Sequence, residues 1–209
     1  MGRSAANFRN ILVIDLGQLG DVVQSLPALG ALRRRFPDSK ITAMVEKTPA
    51  EVVRLCGVVD EIVEIDRPQL KDRPKHRSIF QLFRLVARTR RSKFDLVVDL
   101  HSLYETNILG FLSGTRHRLF ANRESRSLDF LSNFRPKPPI EDKSAHISDR
   151  YLDVLAPLEV DTRRYSVGLK PAAPDVEYAQ MLWAEHKLNG KKGVIGLFPG
   201  AGHPSRCWD

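Results

Sequence analysis

The stretch ILVIDLGQLGDVV, residues 11–23, decides how the rest of the chain is read. Ile11, Leu12, Val13 and Ile14 are apolar at every position rather than at alternate ones, so a strand here is expected to bury both faces, as strands of parallel sheets do. Gly17 and Gly20 then interrupt the run, and such glycines let the backbone turn sharply and approach a ligand closely. Beyond them Val22, Val23, Leu26, Leu29, Leu32 and Phe36 recur at three- and four-residue steps, the spacing of a helix with one apolar stripe, which Pro37-Asp38 closes. Pro27 falls inside that stripe. A proline in a helix interior removes a hydrogen bond and costs ~3 kcal/mol, so a kink, or a helix that starts near Ser25, is predicted.

Outward from this unit the same pattern repeats. Strands are predicted over 40–45, 61–65, 94–100 and 116–120, and helices over 49–55, 79–91, 104–112 and 144–158. Short apolar strands alternating with helices build right-handed βαβ units, so the fold class is α/β, with a Rossmann-like, doubly wound parallel sheet. Pro171-Ala172-Ala173-Pro174 resembles a linker that starts a helix at Asp175, which places a boundary near residue 170. Gly193 to Phe198 then reads as another strand of the buried kind, followed by the turn Pro199-Gly200-Ala201-Gly202.

With 209 residues, 42% apolar and 28% charged, the chain has the composition of a folded protein and not of a disordered one. The net charge of +8 is regional. Residues 67–93 hold ten basic side chains against the single acid Asp72, a local +9, while 115–137 carry a further +4. Such an excess suits an anionic partner, although a basic run is as often a solvated helix face. The motifs and interleaved aromatics of nucleic-acid binders are lacking, and nucleic acid is not expected as a partner. Apolar runs are far shorter than the roughly 20 residues that span a bilayer, and no signal-peptide pattern opens the chain. Cys56 and Cys207 lie far apart without metal-ligand spacing, so neither a disulfide framework nor a metal site is expected, and a reducing compartment fits.

Ligands of open α/β sheets gather at the carboxyl ends of strands, which singles out two loops. The first is Asp15 to Asp21, where Asp21 either caps the following helix or presents a carboxylate to a ligand. The second, Pro199 to Arg206, exposes backbone amides to a phosphate and adds Arg206 as a charge-assisted contact. Neither loop has the spacing of a dinucleotide fingerprint or a P-loop.

Together the loops resemble a particular family. ILVIDLGQLGDVVQSLPALGALRRRFPDSKITAMVE is similar to the opening of the family 9 glycosyltransferases, the ADP-heptose:lipopolysaccharide heptosyltransferases, with its G-D pair and L-P-A-L helix. FDLVVDLHSLYETNILGFLSGTRHRLF, SAHISDRYLDVLAPLEV and VIGLFPGAGHPSRCW resemble three further segments of that family, the last being its P-G-A-x-x-P-x-K-x-W donor loop. The resemblance implies a GT-B fold of two Rossmann-like domains. Residues 1–170 would be the acceptor-binding domain, 171–192 the linker and its helix, and 193–209 the first strand and loop of a truncated donor-binding domain. It further implies an inverting, metal-independent transfer of heptose or a related sugar from a nucleotide diphosphate sugar, ADP-heptose, to a lipopolysaccharide inner-core acceptor, with no cofactor.

By the same resemblance Asp21 is the catalytic general base, Gly17, Gln18, Leu19 and Gly20 form the acceptor loop, and Gly200, Ala201, Gly202 and Arg206 contact the donor phosphates. Three positions depart from the family pattern: Arg206 replaces a lysine, Asp15 a lysine or arginine, and Gly202 a serine or threonine. The expected location is cytoplasmic, with the basic 67–93 segment docking on the anionic inner face of the inner membrane. Two other functions stand beside this one: an inactive, truncated acceptor-binding fragment, and a basic nucleic-acid-binding protein.

Overall fold

A computed structural model describes residues 7–66, 75–124, 128–161, 167–197, 200 and 207, with the side chains of 75–82 left undescribed. The chain divides into two compact units, Met1–Lys170 and Pro171–Asp209.

The first unit is built on five parallel strands: β1 (Asn10–Asp15), β2 (Lys40–Glu46), β3 (Glu61–Ile65), β4 (Leu96–Asp99) and β5 (His117–Phe120). Their order across the sheet is β3-β2-β1-β4-β5, with Ile11 opposite Ile41 on one side of β1 and opposite Leu96 on the other. Because side chains alternate along a strand, the all-apolar β1 feeds two cores at once. Ile11 and Val13 join Val98, Ile41 and Leu119 on one face, while Leu12 and Ile14 join Val97, Met44 and Phe120 on the other.

Helices cover both faces. The first core is closed by α1 (Leu19–Arg35) through Val22, Leu26, Leu29 and Leu32, by α2 (Lys47–Cys56) through Ala50 and Val53, and by α5 (Ile147–Val154) through Tyr151 and Leu152. The second is closed by α3 (Lys75–Arg91), whose Leu85 and Val86 pack on it, and by α4 (Tyr104–Leu112) through Leu109. The α/β fold expected from the alternating pattern is therefore present.

Three details differ from the sequence expectation. The first helix begins at Leu19, not near Ser25, and Pro27 lies within it. The carbonyl that loses its donor belongs to Val23, on a side of the helix where that residue is 41% exposed, so water can satisfy it. The helix predicted over 144–158 is split into α5 and a 3₁₀ turn at Ala156–Leu158, because Pro157 has no N–H to give the Asp153 carbonyl and its ring crowds that carbonyl. In the second unit the helix α6 (Ala173–Glu185) forms, but residues 193–197 are not a strand. No described strand pairs with them, and Ile195 is 86% exposed, so neither ladder hydrogen bonds nor a covered face hold them extended.

Candidate functional site

The strand order reverses direction between β1 and β4, and ligand crevices of open α/β sheets form at that switch point, beyond the strands' carboxyl ends. Each of the two strands ends on a buried aspartate. Asp15 closes β1 and is 3% exposed, and its Oδ1 accepts the Gly17 N–H at 3.1 Å. Its Oδ2 is buried beside Ser25 without a hydrogen bond of ordinary geometry. Asp99 closes β4 and is fully buried; it accepts the backbone N–H groups of His101 at 3.2 Å and Ser102 at 2.7 Å, and the Asn107 amide at 2.9 Å. Burial pushes the Asp99 carboxyl up to about 7 and raises Asp15 as well, the latter against the pull of His101.

The turn that follows β1 is packed to its limit. A Cβ on Gly17 would lie 2.7 Å from the Asp21 Cβ, 3.0 Å from the Asp15 Oδ1 and 3.3 Å from the His101 Cε1, so only glycine fits between these three side chains. Gln18, Leu19 and Gly20 are exposed. Asp21 belongs to the first turn of α1, where its Oδ2 accepts the Gln18 N–H at 3.1 Å. Asp21 thus takes part in capping the helix, and it is half-buried on the wall of a pocket.

That pocket, of about 290 Å³, lies within the first unit. Asp21 and His101 line it from the switch point, Arg123 from just after β5, Glu141 and Lys143 from the loop before α5, and Arg150 and Tyr151 from α5 itself. Glu141 bridges the two arginines, with Arg123 Nε and Arg150 Nη1 each 3.3 Å from one of its oxygens. Charges of both signs line the pocket: the carboxyl groups of Asp21, Glu141 and Asp153 stand against Arg123, Lys143 and Arg150, and Glu141 holds the two arginines. Among the described residues no three His, Cys, Asp or Glu side chains are grouped to hold a metal.

The predicted first loop is thus assembled around one pocket, with Asp21 and Gly17 at it and Gln18, Leu19 and Gly20 on the surface beside it. Gly200 is exposed in the second unit, while Ala201, Gly202 and Arg206 lie outside the described residues. Arg123, Glu141, Arg150 and Tyr151 went unnoticed in the sequence as site residues. They come from segments with no motif spacing, and only the fold brings them to β1. His146 is not among the residues that line the pocket; it caps α5 by accepting the Ser148 N–H at 3.3 Å.

No protein-family model matches the chain. Lipopolysaccharide heptosyltransferase 3 of Escherichia coli is 23% identical over 193 residues, 91% of this chain and 54% of that protein. The crystal structure of a family 9 glycosyl transferase from Veillonella parvula superposes with a TM-score of 0.78 at 25% identity, covering 99% of this chain and 58% of that one. The Escherichia coli heptosyltransferase WaaC, solved with ADP-2-deoxy-2-fluoro heptose, shares the fold with a TM-score of 0.66 at 16% identity, over 96% of this chain and 62% of its own. The chain therefore spans about half the length of the curated relative it matches.

Proposed function

We propose that this chain, a member of glycosyltransferase family 9, provides the acceptor-binding half of an enzyme that moves a heptose or related sugar from a nucleotide diphosphate sugar, ADP-heptose, to a lipopolysaccharide inner-core acceptor. The observation that carries the reading is the Asp21 carboxylate standing on the wall of a pocket that also holds Arg123, Lys143 and Arg150. A carboxylate in a pocket whose Arg123, Lys143 and Arg150 share the wall with Glu141 and Asp153 suits an acceptor that offers hydroxyls together with acidic groups.

In this reading Asp21 takes the hydroxyl proton as the acceptor oxygen bonds to the anomeric carbon. The bond from that carbon to the diphosphate breaks on the opposite face, its electron pair leaves with ADP, and the configuration inverts through an oxocarbenium-like transition state without a metal. Gly17 keeps Asp21 and His101 close together, and Asp15 fixes the turn through the Gly17 N–H. Gly200, Ala201, Gly202 and Arg206 would meet the donor phosphates, the guanidinium of Arg206 serving as a planar fork where a lysine would supply a point charge. Replacing Asp21 by Asn, in the enzyme with its donor-binding half present, should reduce transfer by at least a hundredfold while nucleotide-sugar binding stays unchanged. Retained turnover in that assay would remove Asp21 from its role.

A second reading applies to the 209-residue polypeptide by itself. Its pocket lies entirely in the first unit, which favours a module that binds the acceptor. The basic 67–93 segment adds a membrane contact to either reading. Arg84, Arg88 and Arg91 are exposed on α3 beside Phe83, which is 68% exposed, a pattern suited to the anionic inner face of the inner membrane at ~1 kcal/mol per well-placed cation. Neutralising the three arginines together should lower partitioning onto phosphatidylglycerol-containing vesicles more than tenfold in a sedimentation assay.

A further inference from the structure

His101 sits just beyond β4, with its side chain 17% exposed, and lines the same pocket as Asp21. Its Nδ1 lies 3.3 Å from the Tyr151 hydroxyl and 3.7 Å from the Asp15 Oδ1. The two rings are stacked with centroids 6.4 Å apart at 29°, which limits rotation of the imidazole. Nδ1 is therefore engaged from behind, and Nε2 is the ring nitrogen left for the pocket.

We propose that His101 is a ligand-binding residue, donating a hydrogen bond from Nε2 to a sugar hydroxyl or sugar-acid oxygen, with Tyr151 and the buried Asp15 as the residues that position its ring. The ligand class rests on the acceptor reading above; the state of the ring does not. Tyr151 is buried and flanked by the Asp15 and Asp21 carboxylates, which hold its phenol well above the usual range and hence protonated. In this proposal the phenol donates to Nδ1, an arrangement in which the single proton of the neutral imidazole resides on Nε2. If the ring gains a second proton, Nδ1–H faces the Asp15 carboxylate and Nε2 still carries hydrogen. The pocket thus meets a donor in either state.

Charged and titratable groups reach the ring from every element packed around it. Asp15 reaches it from β1, Asp21 from α1, Arg123 from the end of β5, Glu141 from the loop before α5 and Tyr151 from α5. Burial lowers the proton affinity of His101, Asp15 opposes that, and Arg123 reinforces it. Asp15 Oδ1, which also accepts the Gly17 N–H, faces the ring at 3.7 Å and gives it an acidic neighbour that a lysine or arginine at that position would not.

The test uses the 209-residue chain with 15N-labelled histidine. Long-range 1H–15N spectra near pH 7.5 should show His101 as the Nε2–H tautomer. Tyr151→Phe should move it toward a mixture of tautomers, and Asp15→Asn should lower the pH midpoint of its titration. Calorimetric titration with deacylated lipopolysaccharide inner-core oligosaccharide should show His101→Ala weakening binding roughly tenfold. His101→Gln, whose amide N–H reaches the position of Nε2, should restore most of that loss. An Nδ1–H tautomer in the unmodified chain, or equal oligosaccharide affinity for His101→Ala and the unmodified chain, overturns the proposal. A chain that shows the expected tautomer but does not bind the oligosaccharide overturns the acceptor reading and the ligand named here with it.

Discussion

Asp99 is a carboxyl group that the fold surrounds completely, and that has a cost the pH can read. Its ordinary value is about 3.9, and burial lifts it to about 7 in the folded protein. Between those values the folded state holds a proton that the unfolded chain releases, so stability falls as pH rises through that window and levels off above it. Thermal unfolding of the protein and of Asp99→Asn at pH 5 and pH 8 should show the melting temperature of the unmodified protein dropping more steeply. The comparison matters because His101, lowered by burial, contributes a slope of the opposite sign. An equal slope for the two proteins would mean that the hydrogen bonds from Ser102, His101 and Asn107 keep Asp99 ionised despite its burial. At the residue scale the position of Asp21 at the pocket was legible in the sequence, because a G-D pair follows an apolar strand. The positions of Glu141 and Arg150 there were not, since they depend on a loop and a helix more than a hundred residues from β1.

Among the elements, α4 meets the sheet at Gly110 with no room for a side chain. A Cβ on Gly110 would fall 2.8 Å from the Phe120 ring and 3.5 Å from Val97, so the helix rests directly on β4 and β5. Gly110→Ala should cost about 1–3 kcal/mol in urea unfolding through overpacking, and Phe120→Leu in the same chain should recover part of it. Strand positions were legible in the sequence because parallel strands buried on both faces leave uninterrupted apolar runs, and β3 was placed to the residue. Helix boundaries were less so. Pro27 signalled a break that the helix absorbs on its solvent side, whereas Pro157 produced one within a stretch that otherwise looked continuous. The apolar run at 193–197 has the composition of a buried strand, but composition cannot supply the neighbour that a strand requires.

At the scale of the whole molecule, both cores and the pocket belong to Met1–Lys170, while none of the described residues of Pro171–Asp209 is buried. A polypeptide ending at Lys170 should therefore melt within a few degrees of the 209-residue chain by circular dichroism. The segment after it, expressed alone, should show little helix, since a 13-residue helix without packing is marginal in water. A large fall in melting temperature on removing the segment would show that it stabilises the sheet. The exposed side chains of Val194, Ile195 and Leu197 bear on handling as well as on folding. Backbone amides and carbonyls with no ladder partner among the described residues, flanked by exposed aliphatic groups and no intervening charge, are a template for strand addition between molecules. Concentrated solutions of this polypeptide will tend to associate through that short segment first, and self-association, not unfolding of the sheet, will set its solubility.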